Sequence, residues 1–162
     1  MENIVNFRKA EKKDVELILW FIQQMADYEK LSHEVTATPE LLAEWIFEKN
    51  KASVIFAEVE DKTVGFVLYF YNFSTFVGKA GLYIEDIFVL PEERGKGYGK
   101  AIMKHLALMA YQQNLGRMEW TCLDWNINSI NFYKSIGARP MDEWTNFRLT
   151  EKAILEFIGK DK

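Results

Sequence analysis

The densest chemistry in this chain lies in Arg94-Gly95-Lys96-Gly97-Tyr98-Gly99-Lys100, where three of the nine glycines fall within five residues. Glycine lets a backbone approach a ligand closely, and a helix starting just after it presents unpaired N–H groups with a positive partial charge. That combination suits a pyrophosphate. Local charge agrees, because Arg94, Lys96, Lys100 and Lys104 occur with no acid among residues 94–104. The spacing excludes a dinucleotide fingerprint, Gly-x-Gly-x-x-Gly, because position 100 is Lys, and there is no Gly-x-x-x-x-Gly-Lys-Ser/Thr phosphate loop. Just upstream, Glu85 and Asp86 interrupt a stretch, Leu82 to Leu90, that is otherwise apolar on both faces. Strand alternation sends adjacent carboxylates to opposite faces unless a bulge intervenes. A carboxylate among apolar neighbours is costly unless paired or functional, and desolvation raises its pKa towards a value useful in proton transfer. For one of the two, a salt bridge to Lys or Arg is the alternative.

These residues need elements to hold them. Residues 3–9 read as a short strand, and residues 14–30 space Val15, Ile18, Leu19, Ile22, Met25 and Ala26 as one face of a helix. Thr38-Pro39-Glu40 supplies a cap, a first-turn proline and an acid at the positive end of a second helix. Residues 52–59 and 64–73 form a hairpin about Asp61-Lys62, with Gly65 its weakest position. A strand over 82–90 precedes the glycine-rich loop, and a helix with Ile102, Met103, Leu106, Met109 and Ala110 on one face follows it. Arg117–Asp124 reads as a strand, Asn128–Ile136 as a short helix, Trp144–Leu149 as a last strand and the tail from Thr150 as helical. The order β-α-α-β-β-β-α-β-α-β predicts an α/β or α+β fold, a mixed sheet covered by helices.

Composition narrows the function. With 162 residues, 49% hydrophobic and 27% charged, and with only three prolines and no linker-like stretch, the chain is expected to be one globular domain over 1–162. A net charge of −4 disfavours nucleic acid and anionic membrane as partners. The charge divides unevenly. Residues 1–60 carry 12 acids against 7 bases, whereas residues 61–162 carry 12 acids against 13 bases, so an anion site must be local and lie in the second part. A single Cys122 and two distant histidines offer no disulfide and no zinc spacing, so no metal is expected. The first residues carry no secretory pattern and no run is long enough to span a membrane, which predicts a cytoplasmic location.

Arg94-x-x-Gly97-x-Gly99 resembles the Arg/Gln-x-x-Gly-x-Gly/Ala motif of GNAT-type acetyltransferases. Tyr83-Ile84-Glu85-Asp86-Ile87-Phe88-Val89 before it, with Trp125-Asn126 and Ser129 to Ala138 after it, resembles the spermidine/spermine (diamine) and thialysine branch of that family. The resemblance implies a mostly antiparallel central sheet of six to seven strands flanked by helices, with acetyl-CoA as cosubstrate and a homodimeric assembly. It implies that acetyl-CoA lies against Ile87, Phe88, Val89, Arg94, Gly95, Lys96, Gly97, Tyr98, Gly99, Lys100, Asn126 and Lys134. A bulge in the strand would leave the Val89 N–H for the acetyl carbonyl.

Under the same resemblance, Tyr133 is the general acid for the departing thiolate, although Phe132 and Tyr133 also suit plain core aromatics. Glu85, preferred over Asp86, takes the proton of the amine, while Tyr28, Glu29, Glu85 and Asp86 line the acceptor site. The acidic first third suits a cationic acceptor. Cys122 has no histidine close in sequence, so direct transfer in a ternary complex is expected rather than an acetyl-enzyme. The expected activity is acetylation of a primary amine of a polyamine, diamine or lysine-like molecule. Acetylation of a protein N-terminus or lysine, or of an amino acid, and a non-catalytic acyl-CoA-binding module are the alternatives.

Overall fold

A computed structural model of the chain describes residues 4–160, so Asn3, at the start of the first predicted strand, and the extreme ends of the 1–162 domain lie outside the described residues. Five strands form one sheet in chain order: β1 (Asn6–Lys9), β2 (Ser53–Val59), β3 (Lys62–Ser74), β4 (Lys79–Val89) and β5 (Met118–Trp120). Neighbours are antiparallel except β4 and β5, which run parallel over Leu82–Ile84 and Met118–Trp120. The β2–β3 hairpin turns through Glu60 and Asp61, one residue earlier than the sequence suggests, with φ of 49° and 64°. A two-residue turn with both φ positive matches the twist of the flanking strands.

The amphipathic patterns become the two layers that cover this sheet. Helix α1 (Val15–Tyr28) buries Ile18, Phe21 and Ala26, and α2 (Pro39–Leu42) continues into wider π-type turns over Ala43–Glu48. The Thr38 hydroxyl accepts the Leu41 N–H at 3.2 Å, as a capping residue should. Ile18, Phe21 and Ile46 close on Val54, Phe56, Phe66, Phe88 and Leu90 to make the main core. Helix α3 (Tyr98–Gln112) covers the other face, where His105 stacks on Phe7 of β1 with ring centroids 4.0 Å apart.

Gly65 is the tightest point between β3 and α3. A Cβ there would stand 2.8 Å from the Phe88 carbonyl oxygen and 3.3 Å from Ile102 Cδ1. Because the nearer atom belongs to a paired strand, Gly65→Ala is expected to cost about 1–3 kcal/mol of stability. Urea unfolding checks this, with an unchanged midpoint as the contrary result.

The sheet is smaller than the six to seven strands expected. Arg117–Asp124 contributes only Met118–Trp120, and Trp144–Leu149 forms no strand. Alternating apolar residues make a strand only where one face finds a core, and Trp144 and Phe147 remain 76% and 89% exposed. The chain groups into two compact units, one ending at Thr121 and the other beginning at Cys122. The second unit contains α4 (Ile127–Ser135) and α5 (Glu151–Phe157), the latter capped by the Thr150 hydroxyl. No helix among the described residues is long and apolar enough to cross a membrane.

Candidate active site

The pairing of β3 with β4 decides where the two carboxylates go. Leu68 stands opposite Asp86 and Tyr69 opposite Ile84, which leaves Glu85 as the extra residue of a bulge. Simple alternation therefore fails between Ile84 and Asp86. Ile84 shares the face of Tyr69, Val67 and Gly65, the face that α3 covers. Asp86 shares the face of Phe66, Phe88 and Leu90, which packs under α1. The bulge thus puts one carboxylate inside the apolar layer under α1 and leaves the other, Glu85, exposed.

Asp86 makes no ion pair among the described residues, so the salt bridge considered from the sequence is not formed. Burial pushes its carboxyl up to about 7, and the negative charges of Glu85 and Glu29 push the same way. Glu29, at the C-terminal end of α1, is half-buried and its own pKa is raised by burial. Tyr28 precedes it, with its ring centroid 6.1 Å from that of Phe88. Tyr28, Glu29, Glu85 and Asp86, all proposed from the sequence, therefore gather where the end of α1 meets β4.

The end of β4 offers backbone donors beside them. The Leu90 N–H donates to the Val64 carbonyl at 2.9 Å, so antiparallel alternation makes Val89–Gly65 and Ile87–Val67 the non-hydrogen-bonded pairs. The N–H groups of Ile87 and Val89 accordingly point away from β3, towards the edge where β5 has already ended opposite Ile84. The strand carries a bulge, as expected, at Glu85, and ladder parity beyond it turns the Val89 N–H outward.

The glycine-rich loop follows at once. Gly95 and Gly97 take φ of 77° and 84°, a left-handed backbone that a side chain would strain, and no atom lies within 4 Å of the position a Cβ would occupy at either. Gly97 is the N-cap of α3, whose first turn holds no acid and whose first intrahelical bond runs from Ala101 N–H to the Gly97 carbonyl. The N–H groups of Tyr98, Gly99 and Lys100 thus open the helix towards an anion. Phe88 and Tyr98 are buried, and the Phe88 backbone pairs with Phe66 of β3, so Phe88 turns neither side chain nor N–H to a ligand and only the Tyr98 backbone can, whereas the Lys100 side chain is exposed.

The two cations at the front of the loop already have partners. Lys96 Nζ lies 2.8 Å from the Glu93 carboxylate, which also holds Lys62 Nζ at 2.6 Å. These contacts hold the Glu93 pKa below the usual carboxylate range. Arg94 turns back onto the strand, where its Nε donates to the Val89 carbonyl at 3.0 Å. Lys62, the first residue of β3, was read from the sequence only as part of the hairpin turn, because a charged hairpin residue carries no mark of a distant partner.

In the second unit, Asn126 is the N-cap of α4, its side-chain oxygen accepting the Ser129 N–H at 3.3 Å. Lys134 is exposed. The Tyr133 ring packs beside Phe132, and burial, with a further contribution from Cys122, pushes its phenol up to about 12. Its hydroxyl is therefore protonated at any working pH.

A strand edge with outward N–H groups, a left-handed glycine loop and an acid-free helix start suit the binding of a phosphate-bearing ligand. The sequence profile of the acetyltransferase (GNAT) family matches residues 17–138, and the chain belongs to that family. It is an N-acetyltransferase, and the fold uses acetyl-CoA as cosubstrate. Thialysine N-epsilon-acetyltransferase of Sus scrofa is 36% identical over 96% of this chain and 98% of its own length. The Mus musculus protein of that name is 34% identical over 94% and 96%, and L-ornithine N5-acetyltransferase of Arabidopsis thaliana 33% over 91% and 85%. Among solved structures, an integron cassette protein from the V. cholerae mobile metagenome superposes with a TM-score of 0.78 at 30% identity, covering 98% of each chain. A predicted acetyltransferase from Clostridium acetobutylicum, solved with acetyl-CoA, shares the fold, with a TM-score of 0.73 at 20% identity over 90% of this chain and 96% of its own.

Proposed function

We propose that this enzyme acetylates the terminal primary amine of a small cationic acceptor, a lysine- or ornithine-like amino acid or a diamine, by direct attack with both substrates bound. The observation that carries the reading is Asp86, a carboxylate placed by the bulge among apolar side chains and raised to about 7 beside two further acids. A primary amine with a reference pKa of about 10 is protonated near neutrality and attacks a thioester only when neutral. A carboxylate raised to about 7 accepts that proton far better than an ordinary one. Glu29 and the exposed Glu85 supply the field that draws the ammonium in. The relatives support the acceptor class, since thialysine and ornithine both end in a side-chain amine.

In the proposed transfer one ammonium proton passes to Asp86, directly or through water. The nitrogen–carbon bond then forms and the carbon–sulfur bond breaks. The Tyr133 hydroxyl gives its proton to the departing thiolate and is reprotonated by the second proton released from nitrogen. Asp86 returns its proton to solvent. The N–H groups of Val89 and Ile87 face the acetyl carbonyl, and those opening α3 face the pyrophosphate.

Free-thiol release from acetyl-CoA, measured with lysine, ornithine, thialysine, diamines, polyamines and a peptide panel, tests the reading. Turnover is expected with the small amines, and initial-velocity lines should intersect, as sequential binding requires. Turnover with peptides alone would overturn the acceptor class, and parallel lines would overturn direct attack.

A further inference from the structure

We propose that Arg117 and Glu119 form a subsite for the far end of the acceptor, shaped for the paired ammonium and carboxylate of an α-amino acid. The inference rests on the functional reading above, which puts the reacting amine at Asp86, and concerns what holds the rest of that molecule. Leu68 stands opposite Asp86, Phe70 opposite Tyr83 and Asn72 opposite Gly81, so alternate residues of β3 mark one strip along the face that carries Asp86. Tyr83 in turn pairs with Glu119 of β5. Beside Asp86 the floor of the strip is apolar, made of the half-buried rings of Phe70 and Tyr83, stacked with centroids 5.1 Å apart. Beyond them Gly81 leaves a gap, and Asn72 reaches across β4 to donate from Nδ2 to Glu119 Oε1 at 3.2 Å. A Cβ on Gly81 would stand 2.6 Å from the Asn72 amide oxygen and 3.5 Å from Arg117 Cγ.

Arg117 Nε meets the same Glu119 oxygen at 2.9 Å. Both contacts therefore fall on Oε1, which leaves Oε2 and the terminal guanidinium nitrogens of Arg117 unbonded among the described residues. The two side chains are 45% and 37% exposed, so their own pairing is weak and yields readily to a ligand. The span fits a lysine-like molecule. Two steps along β3 and one strand spacing put Glu119 roughly 8 Å from Asp86, backbone to backbone. The bonds joining the two nitrogens of lysine reach about 7 Å when extended. With its side-chain amine at Asp86, its methylenes lie on Phe70 and Tyr83, its α-ammonium meets Glu119, and its carboxylate takes the planar fork of Arg117. A diamine offers the ammonium alone and brings a second cation up to Arg117.

The test compares lysine, cadaverine (lysine without its carboxylate) and pentylamine in the full-length parent, Arg117→Gln and Glu119→Gln. The parent should favour lysine over cadaverine by about tenfold or more in kcat/KM, the size of one charge-assisted hydrogen bond at a part-exposed site. Arg117→Gln should raise the KM for lysine about tenfold and that for cadaverine less than twofold. Glu119→Gln should raise both, while the KM for pentylamine and the calorimetric affinity for CoA stay as in the parent. Equal changes for all three amines, an unchanged lysine KM in both variants, or a parent that prefers cadaverine would each overturn the proposal. Arg117→Lys keeps the charge and loses the fork, so it should show an intermediate lysine KM and takes the place of Arg117→Gln if that variant fails to fold. Titration of lysine into the CoA-loaded protein reads the subsite without turnover. If the parent acetylates no amine yet binds lysine with the same dependence on Arg117 and Glu119, the functional reading fails and the subsite stands. A parent that binds no lysine overturns the proposal, whatever it acetylates.

Discussion

Asp86→Asn is expected to lower kcat/KM for the amine by about 10²–10³-fold and to remove the limb near pH 7 from its pH profile, the loss typical of a general base. In the parent, kcat/KM should rise as Asp86 ionises, through about pH 7, because under the proposed mechanism only the carboxylate accepts the ammonium proton. The bound ammonium stabilises that carboxylate, so the limb in kcat lies below the limb in kcat/KM. Glu85→Gln, at the exposed bulge residue, costs less than about tenfold, since water there does much of what the side chain does. A larger loss in Glu85→Gln than in Asp86→Asn would return the proton to Glu85, the residue the sequence favoured.

Stability should move the opposite way. The folded-state pKa of Asp86 lies above the ordinary carboxylate value, so between about pH 4 and pH 7 the folded protein binds more protons than the unfolded chain. Its contribution is fully present below about pH 4 and is lost as pH rises through about 7. Near pH 8 the parent carries a largely buried charge that Asp86→Asn lacks, and the variant should be the more stable by up to about 4 kcal/mol. Chemical denaturation at about pH 8 and pH 4 checks this, with the difference vanishing at the lower pH. A variant less stable at both would mean that Asp86 holds the fold together rather than serving the reaction.

What the sequence could and could not announce follows from which forces are local. The loop Arg94–Lys100 was legible because glycine spacing and charge are properties of a short segment, and the left-handed φ values of Gly95 and Gly97 follow from them. The helices over Val15–Tyr28 and Tyr98–Gln112 were legible from apolar spacing. The position of the bulge at Glu85, and with it the burial of Asp86, was not, because a bulge belongs to the pairing of two strands and one strand alone does not locate it. For the same reason the stack of Arg94 on Tyr28 was not legible, since it depends on a residue 66 positions earlier in the chain. Trp144–Leu149 failed as a strand because alternation states which face would be buried and not whether a partner edge is there.

Tyr133→Phe should lower kcat by about 10²–10³-fold while leaving the dissociation constant for CoA nearly unchanged. The phenol pushed up to about 12 is a weaker acid than the thiol of CoA, with a reference pKa near 8.5, so complete transfer to a free thiolate is uphill by ~5 kcal/mol. Transfer becomes favourable only as negative charge collects on sulfur while the carbon–sulfur bond breaks and the proton released from nitrogen becomes available to replace the one Tyr133 gives up. As the proposed general acid the hydroxyl would contribute in the transition state and little in the ground state, which is why kcat should fall and CoA affinity should not. A high pKa also keeps the acid protonated, so the parent should show no alkaline fall in kcat assignable to Tyr133 up to about pH 10. A thioester with a more acidic thiol needs less help in leaving, and the penalty of Tyr133→Phe should shrink with it. An equal penalty for both thioesters would show that Tyr133 only packs beside Phe132, and unchanged turnover with acetyl-CoA would remove it from the mechanism altogether.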